Sequence, residues 1–276
     1  MRLLRAALVL VCASVVVPGT DASELHLEGE LTQGGVIRGQ VAPGAAVWLD
    51  GQELRVSDAG HFVFGFGRDA PPRAELMVRH PDGREDRRTL DVAARAYRVQ
   101  RIDGLPPRQV TPSEQDLLRI EADAELIAAA KARNSGGLGF TQDVAWPALG
   151  PISGIYGSQR ILNGEARAPH RGVDVAAPAG TPVAAMASGV VSLARPDLYF
   201  TGGTVMIDHG HGLHSIYAHM QEVLVEVGQA VARGAPLGTV GATGRATGPH
   251  LHWGVYWFEE AVDPALLVDP MPDSLG

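Results

Sequence analysis

Lysine is almost missing from this chain: of its 23 basic residues only Lys131 is one. The 31 acidic residues outnumber the basic ones and leave a formal net charge of −8, so no basic stripe exists to hold nucleic acid, and such a partner is not expected. Cysteine occurs once, at Cys12, within a stretch expected to be removed. The mature protein then has no disulfide and no thiolate with which to close a structural zinc site. Beyond residue 22 there is no apolar run near the roughly 20 residues that a membrane span requires, so no stable span is expected. What remains is 276 residues at 45% hydrophobic content, enough for one large or two modest domains with real cores.

Residues 1–22 combine a basic start (Arg2, Arg5), the apolar run AALVLVCASVVV and a small-residue exit. This is the pattern of a secretory signal peptide, and it predicts an exported protein, periplasmic or fully secreted. Residues 24–96 alternate apolar and polar in short runs (LHLEGEL, VIRGQV, AAVWLD, HFVFGF, AELMVRH) punctuated by glycine, proline and Asp-Gly. That spacing predicts a small antiparallel β-sandwich resembling Ig-like or transthyretin-like modules, with hairpin turns at Asp50-Gly51, Asp58-Ala59-Gly60 and Asp82-Gly83. His26, His61 and His80 lie here without ligand spacing. Residues 97–142 read as a proline-rich linker followed by a helix from about Ser113 to Asn134, with Ser113 as N-cap and Glu114 and Asp116 in the first turn. Leu117, Ile120, Leu126, Ile127 and Ala130 give it an incomplete apolar stripe, suited to packing between domains or to limiting access to a groove. Gly136, Gly137 and Gly139 read as a flexible joint. In residues 143–270 the period is two, with many short strands and glycine-rich turns, so the chain as a whole is mainly β.

The chemistry gathers between His170 and His252. His250 and His252 sit two apart in the β-forming segment LHWGVYW, so as a strand they point to one face. His170 and Asp174 are separated by a glycine-containing turn in PHRGVD, and His219 follows in YAHM. These five supply N, N and O donors. Three protein ligands with one open position make a catalytic zinc site, and two histidines then remain for a general base and an oxyanion-stabilising group. His209, His211 and His214 in DHGHGLHS are read as turn residues. Tyr217, two residues before His219, is expected to share its strand face, and either orients an imidazole, touches substrate or is a core residue. Arg160, Asn163 and Tyr199 are candidate substrate contacts or supports of the site, with a structural salt bridge the alternative for Arg160, carried on two segments expected to wall the groove, SQRILNGEARAPH and ARPDLYFTGG.

The spacing HxxxD, a histidine after Tyr-Ala, and HLH leading into an apolar strand resembles the M23 (lysostaphin/LytM-like) zinc metallopeptidases. The resemblance runs from about Trp146 to Pro264 and includes ISGIYGSQR, GVDVAAPAGTPVAAMASGVV, GGTVMIDHGHGLHSIYAHM and VEVGQAVARGAPLGTVGATGRATGPHLHWGV. It implies an all-β, duplicated-hybrid-motif-like catalytic domain and one zinc ion per chain. His170, Asp174 and His252 become its ligands, His219 and His250 the catalytic pair, and peptidoglycan peptides the substrate. Two other functions compete. VEVGQAVARGAPLGTVG also looks like a lipoyl or biotinyl carrier hairpin, but such a carrier needs a lysine at its tip, and Lys131 lies far upstream. A LytM-type module that only activates a cell-wall amidase has lost zinc ligands, whereas this chain keeps them all.

Overall fold

A computed structural model describes residues 25–102, 113–162 and 164–272. The expected signal peptide, the proline-rich stretch at 103–112 and Asn163 lie outside the described residues. The described chain is mainly β, with one α-helix among the described residues.

The first region contains β1 (His26–Glu28), β2 (Val36–Gln40), β3 (Ala46–Leu49), β4 (Gln52–Leu54), β5 (His61–Gly65), β6 (Arg73–Arg79) and β7 (Glu85–Asp91). They form two antiparallel sheets, ordered β1-β2-β5 and β4-β3-β6-β7. Alternation decides which face is buried. In β6, Ala74, Leu76 and Val78 point inward while Arg73, Glu75 and Arg79 meet solvent. Asp50 and Gly51 both take positive φ (49° and 80°), the geometry of a two-residue type I′ hairpin joining β3 to β4. The Asp58-Ala59-Gly60 turn differs from expectation. It passes the chain from β4 in one sheet to β5 in the other, because β5 pairs with β2 and β4 with β3.

Next come β8 (Val99–Ile102) and α1 (Glu114–Lys131). The helix starts at a capping box, with the Asp116 amide donating to Ser113 Oγ (3.2 Å) and the Ser113 amide donating to Asp116 Oδ2 (3.3 Å). Ile127 and Ala130 pack against Leu193, Leu198, Met206, Ile216 and Tyr256, while Leu117 and Leu126 stay 50% and 39% exposed. Of the glycines after the helix, Gly136 is exposed and open, while Gly137 and Gly139 lie against neighbouring backbone. A Cβ on Gly139 would stand 1.9 Å from the Ser188 carbonyl oxygen, and one on Gly210 would stand 1.8 Å from that of Gly137.

The remaining strands are β9 (Ile152–Gly154), β10 (Gln159–Leu162), β11 (Glu165–Ala166), β12 (Val173–Ala176), β13 (Pro182–Ala184), β14 (Gly189–Leu198), β15 (Gly202–Gly210), β16 (Leu213–Val223), β17 (Ala230–Val231), β18 (Pro236–Val240), β19 (His250–Trp257) and β20 (Glu260–Val262). A ten-stranded sheet runs β17-β14-β15-β16-β19-β12-β9, with β13, β18 and β20 attached beside that path. Leu251, Trp253 and Val255 of β19 and Tyr217 of β16 face one core at 0% exposure. Burying each such side chain contributes about 1.5–3 kcal/mol. The first region docks on the far end of β19 and β20. Gly65 sits against Trp257 and Val262, and Arg95 meets the buried Asp263 at 2.8 Å. No helix among the described residues is long and apolar enough to cross a membrane.

Candidate metal centre

Strand register brings the expected donors together. β12 and β19 pair antiparallel with Asp174 opposite His252 and Ala176 opposite His250, so the carboxylate and both imidazoles share one face. Gly154 of β9 lies opposite Asp174 on the other side, and a Cβ there would stand 2.2 Å from Asp174 Oδ2. Only glycine leaves room for that carboxylate. In the sequence this glycine stood only within the matching segment ISGIYGSQR, with no periodicity to mark its role.

His219 arrives by an irregularity. Val205 pairs with Tyr217 and Gly203 with Met220, so Ala218 and His219 of β16 stand opposite a single residue of β15. His219 takes φ +63° in this bulge. The extra residue breaks the alternation and turns the imidazole toward the face that Ala218, paired with His252, already occupies. Of the two readings of Tyr217, the bulge removes the shared face with His219 and leaves the core residue. It shares no face with His219 but points into the core, fully buried, with its hydroxyl accepting from the Met186 amide (2.9 Å) and bonded to Ser215 Oγ (3.0 Å). Burial pushes its pKa up to about 12.

His170 Nε2, Asp174 Oδ1 and His252 Nδ1 lie 2.9–3.0 Å from one another. The His170 Nδ1 faces the Ile155 carbonyl at 3.0 Å. A carbonyl only accepts, so Nδ1 carries the proton and Nε2 offers a lone pair to the same point as the carboxylate. Three acceptors converging on one spot fit a cation. Their spacing is near the edge of about 3.3 Å for a tetrahedron with zinc–ligand bonds of 2.0–2.1 Å. These three are the residues among those described that could hold a metal ion.

The other two imidazoles are set alike. His219 Nδ1 donates to the Thr243 carbonyl (2.9 Å) and His250 Nδ1 to that of Gly248 (2.8 Å), leaving each Nε2 with its lone pair. Their ring centroids are 4.7 Å apart, and His250 Nε2 lies 3.9 Å from Asp174 Oδ1. Burial lowers the His219 pKa to about 4 and also lowers that of His252. Burial alone would raise the pKa of Asp174, but its hydrogen bonds to His170 and His252 outweigh this and hold it far below the usual carboxylate range.

Two walls flank these residues. The β10–β11 hairpin leads into His170, and the β14–β15 tip reaches His219, whose amide donates to the Thr201 carbonyl at 2.7 Å. Arg160 lies on β10, which pairs in parallel with β8. Tyr199 lies on the β14–β15 tip, its amide donating to Asp123 of α1 (2.6 Å), so the packed face of the helix supports this wall. Tyr199 also lines a cavity of about 410 Å³ with Arg119, Asp197 and Thr243. His209 and His214 lie on strands, buried rather than on an exposed turn. His209 bridges the Ser188 carbonyl and Ser215 Oγ, each at 2.8 Å.

The sequence model of Peptidase family M23 matches residues 168–264. A solved Pseudomonas aeruginosa structure, put forward as a peptidase M23, is 34% identical with a TM-score of 0.66, covering 86% of this chain and 95% of that one. The chain is 48% identical over 86 residues to the peptidoglycan DD-endopeptidase ShyA of Vibrio cholerae, covering 31% of this chain and 20% of that protein. It is 42% identical over 105 residues to the DD-carboxypeptidase/endopeptidase Mpg of Neisseria meningitidis, covering 38% and 24%. The chain thus spans about a fifth to a quarter of the length of the curated relatives it matches.

Proposed function

This chain belongs to peptidase family M23, and from that premise we propose that it is an exported zinc endopeptidase hydrolysing peptide bonds in peptidoglycan stems or cross-bridges. One observation carries the proposal: three lone-pair donors, His170 Nε2, Asp174 Oδ1 and His252 Nδ1, meet at 2.9–3.0 Å beside two more imidazoles. Zinc held by these three residues would act as a Lewis acid on the substrate carbonyl and lower the pKa of water toward about 7.

His219 and His250 do the proton work. Both hold their Nδ1 protons on backbone carbonyls, so each turns a fixed Nε2 lone pair toward the reaction. One takes the proton of the attacking water and passes it to the departing amine, and the other, having picked up a proton from solvent on Nε2, donates to the oxygen that gains charge. Burial keeps His219 neutral well below pH 7, so it is ready as a base at neutral pH. Residues 143–270 carry this chemistry in the proposed arrangement, residues 24–96 form a supporting module, and residues 1–22 direct export to the periplasm or beyond.

The names of the relatives point to cross-links between D-amino acids as the first bonds to examine. The non-catalytic amidase-activating function finds no support in a site with its full donor set. Purified protein should contain about one zinc per chain and release cleaved muropeptides from isolated sacculi, identified by mass spectrometry. Zinc-loaded protein that leaves sacculi and their soluble muropeptides intact would overturn the proposal.

A further inference from the structure

His170 depends on a turn that is itself held from the other half of the molecule. Three hydrogen bonds tie this histidine to residues 155–158. Its amide donates to the Ser158 carbonyl and its carbonyl accepts from the Gly157 amide, both at 2.8 Å, while Nδ1 donates to the Ile155 carbonyl at 3.0 Å. The direction of the Nε2 lone pair is therefore the direction that this turn imposes.

The turn is clamped from behind by two side chains distant in sequence. Arg68 Nε donates to the Gly157 carbonyl at 2.8 Å, and its guanidinium lies 4.6 Å over the Tyr97 ring. Tyr97 in turn meets Tyr156 edge-on at 6.0 Å. Gly157 takes φ +76° and lies flat on Tyr97, where a Cβ would stand 2.1 Å from the ring. The Gly157 residue thus contacts His170 through its amide and Arg68 through its carbonyl. Arg68 is only 19% exposed along its side chain, so little water competes for that carbonyl.

We propose that Arg68 and Tyr97 are positioning residues for the metal ligand His170, so that the first region of the chain helps to set metal affinity. The proposal rests on the zinc function argued above. A ligand histidine whose outer hydrogen bond is disturbed typically loses 10–100-fold in metal affinity. An arginine suits the role because its planar fork can stack on a ring and donate at once, which a lysine ammonium cannot.

The test uses the full chain, with zinc dissociation constants from chelator competition, the visible spectrum of the cobalt(II)-loaded protein and melting of the metal-free protein. Arg68→Ala and Tyr97→Ala should weaken zinc binding about 10-fold or more and alter the cobalt spectrum. Tyr97→Phe, which keeps the ring, should bind as the wild type does. Should the alanine variants fail to fold, Arg68→Lys carries the test, with an expected loss of several-fold. Wild-type affinity and spectrum in a folded Arg68→Ala or Arg68→Lys, with only a lowered melting temperature, would show packing alone and overturn the proposal. Wild-type protein that binds no zinc would instead sink the zinc function, and this inference with it.

Discussion

Strand β6 alternates between exposed and buried residues, whereas β15 is buried at every position from Gly202 to Gly210. The first region sends its polar side chains to water, as in the exposed Glu85–Thr89 run of β7. Strand β15 in the second has cover on both faces, and its polar side chains find partners inside. Asp208 accepts from the Gly210 amide at 2.8 Å, and His209 links Ser188, Ser215 and through it Tyr217. A sheet with one wet face yields stability and little else. A sheet buried on both sides can hold imidazoles and a carboxylate in fixed directions where its cover opens, at the ends of β12, β16 and β19.

The sharpest contrast is between two histidine–aspartate pairs. His80 and Asp86 in the first region meet at 2.8 Å, where the third partner is the Arg84 guanidinium, a cation that binds no metal, whereas Asp174 meets two histidines. Asp174→Ala should abolish stoichiometric zinc and reduce hydrolysis to background, while Asp86→Ala should leave both unchanged. Metal analysis showing full zinc in the Asp174 variant would break the comparison. The next effect separates binding from proton transfer within the second region. His219→Ala and His250→Ala should each retain zinc but lose about 10²–10⁴-fold in turnover, and near-wild-type rates would remove that histidine from the mechanism.

Packing gives a smaller difference. Gly139→Ala places a methyl group 1.9 Å from the Ser188 carbonyl oxygen, whereas Gly51→Ala at φ +80° meets nothing within 4 Å. Chemical denaturation should register about 3 kcal/mol for the first and about 1 kcal/mol for the second. Equal losses would mean that the closed sheet adapts as readily as an exposed hairpin.

The last comparison concerns pH dependence. Burial lowers the His209 pKa to about 4, from an ordinary value near 6.5 in the unfolded chain. Between those values the unfolded state binds the extra proton, so this contribution is complete above about pH 6.5 and is lost as the pH falls toward 4. It can reach about 1.4 kcal/mol per pH unit. His209→Gln, able to bridge the same carbonyl and hydroxyl, should flatten the slope of unfolding free energy against pH in that window. An unchanged slope would assign the acid sensitivity elsewhere.

Much of this was legible in the chain because it depends on short-range rules. Period-two patterning gave the strands, Ser113 with Asp116 marked the start of α1, and Asp50-Gly51 marked a hairpin. The placement of His250 with His252 followed from alternation alone. Alternation misled at Tyr217 and His219, because a bulge adds one residue and reverses the face. It also said nothing of Gly154, whose role appears only when Asp174 is placed beside it.

The amino-acid sequence by itself determined a mainly β chain, its helix start and a set of donors whose types suit a cation, since these follow from residue chemistry and local periodicity. Tertiary structure alone decided which lone pairs meet. His170, Asp174 and His252 converge through the pairing of β12 with β19 and the turn at 155–158, and that turn is gripped by Arg68 and Tyr97. Contacts across such sequence separations arise from sheet register and packing between regions, and neither is written in the order of neighbouring residues.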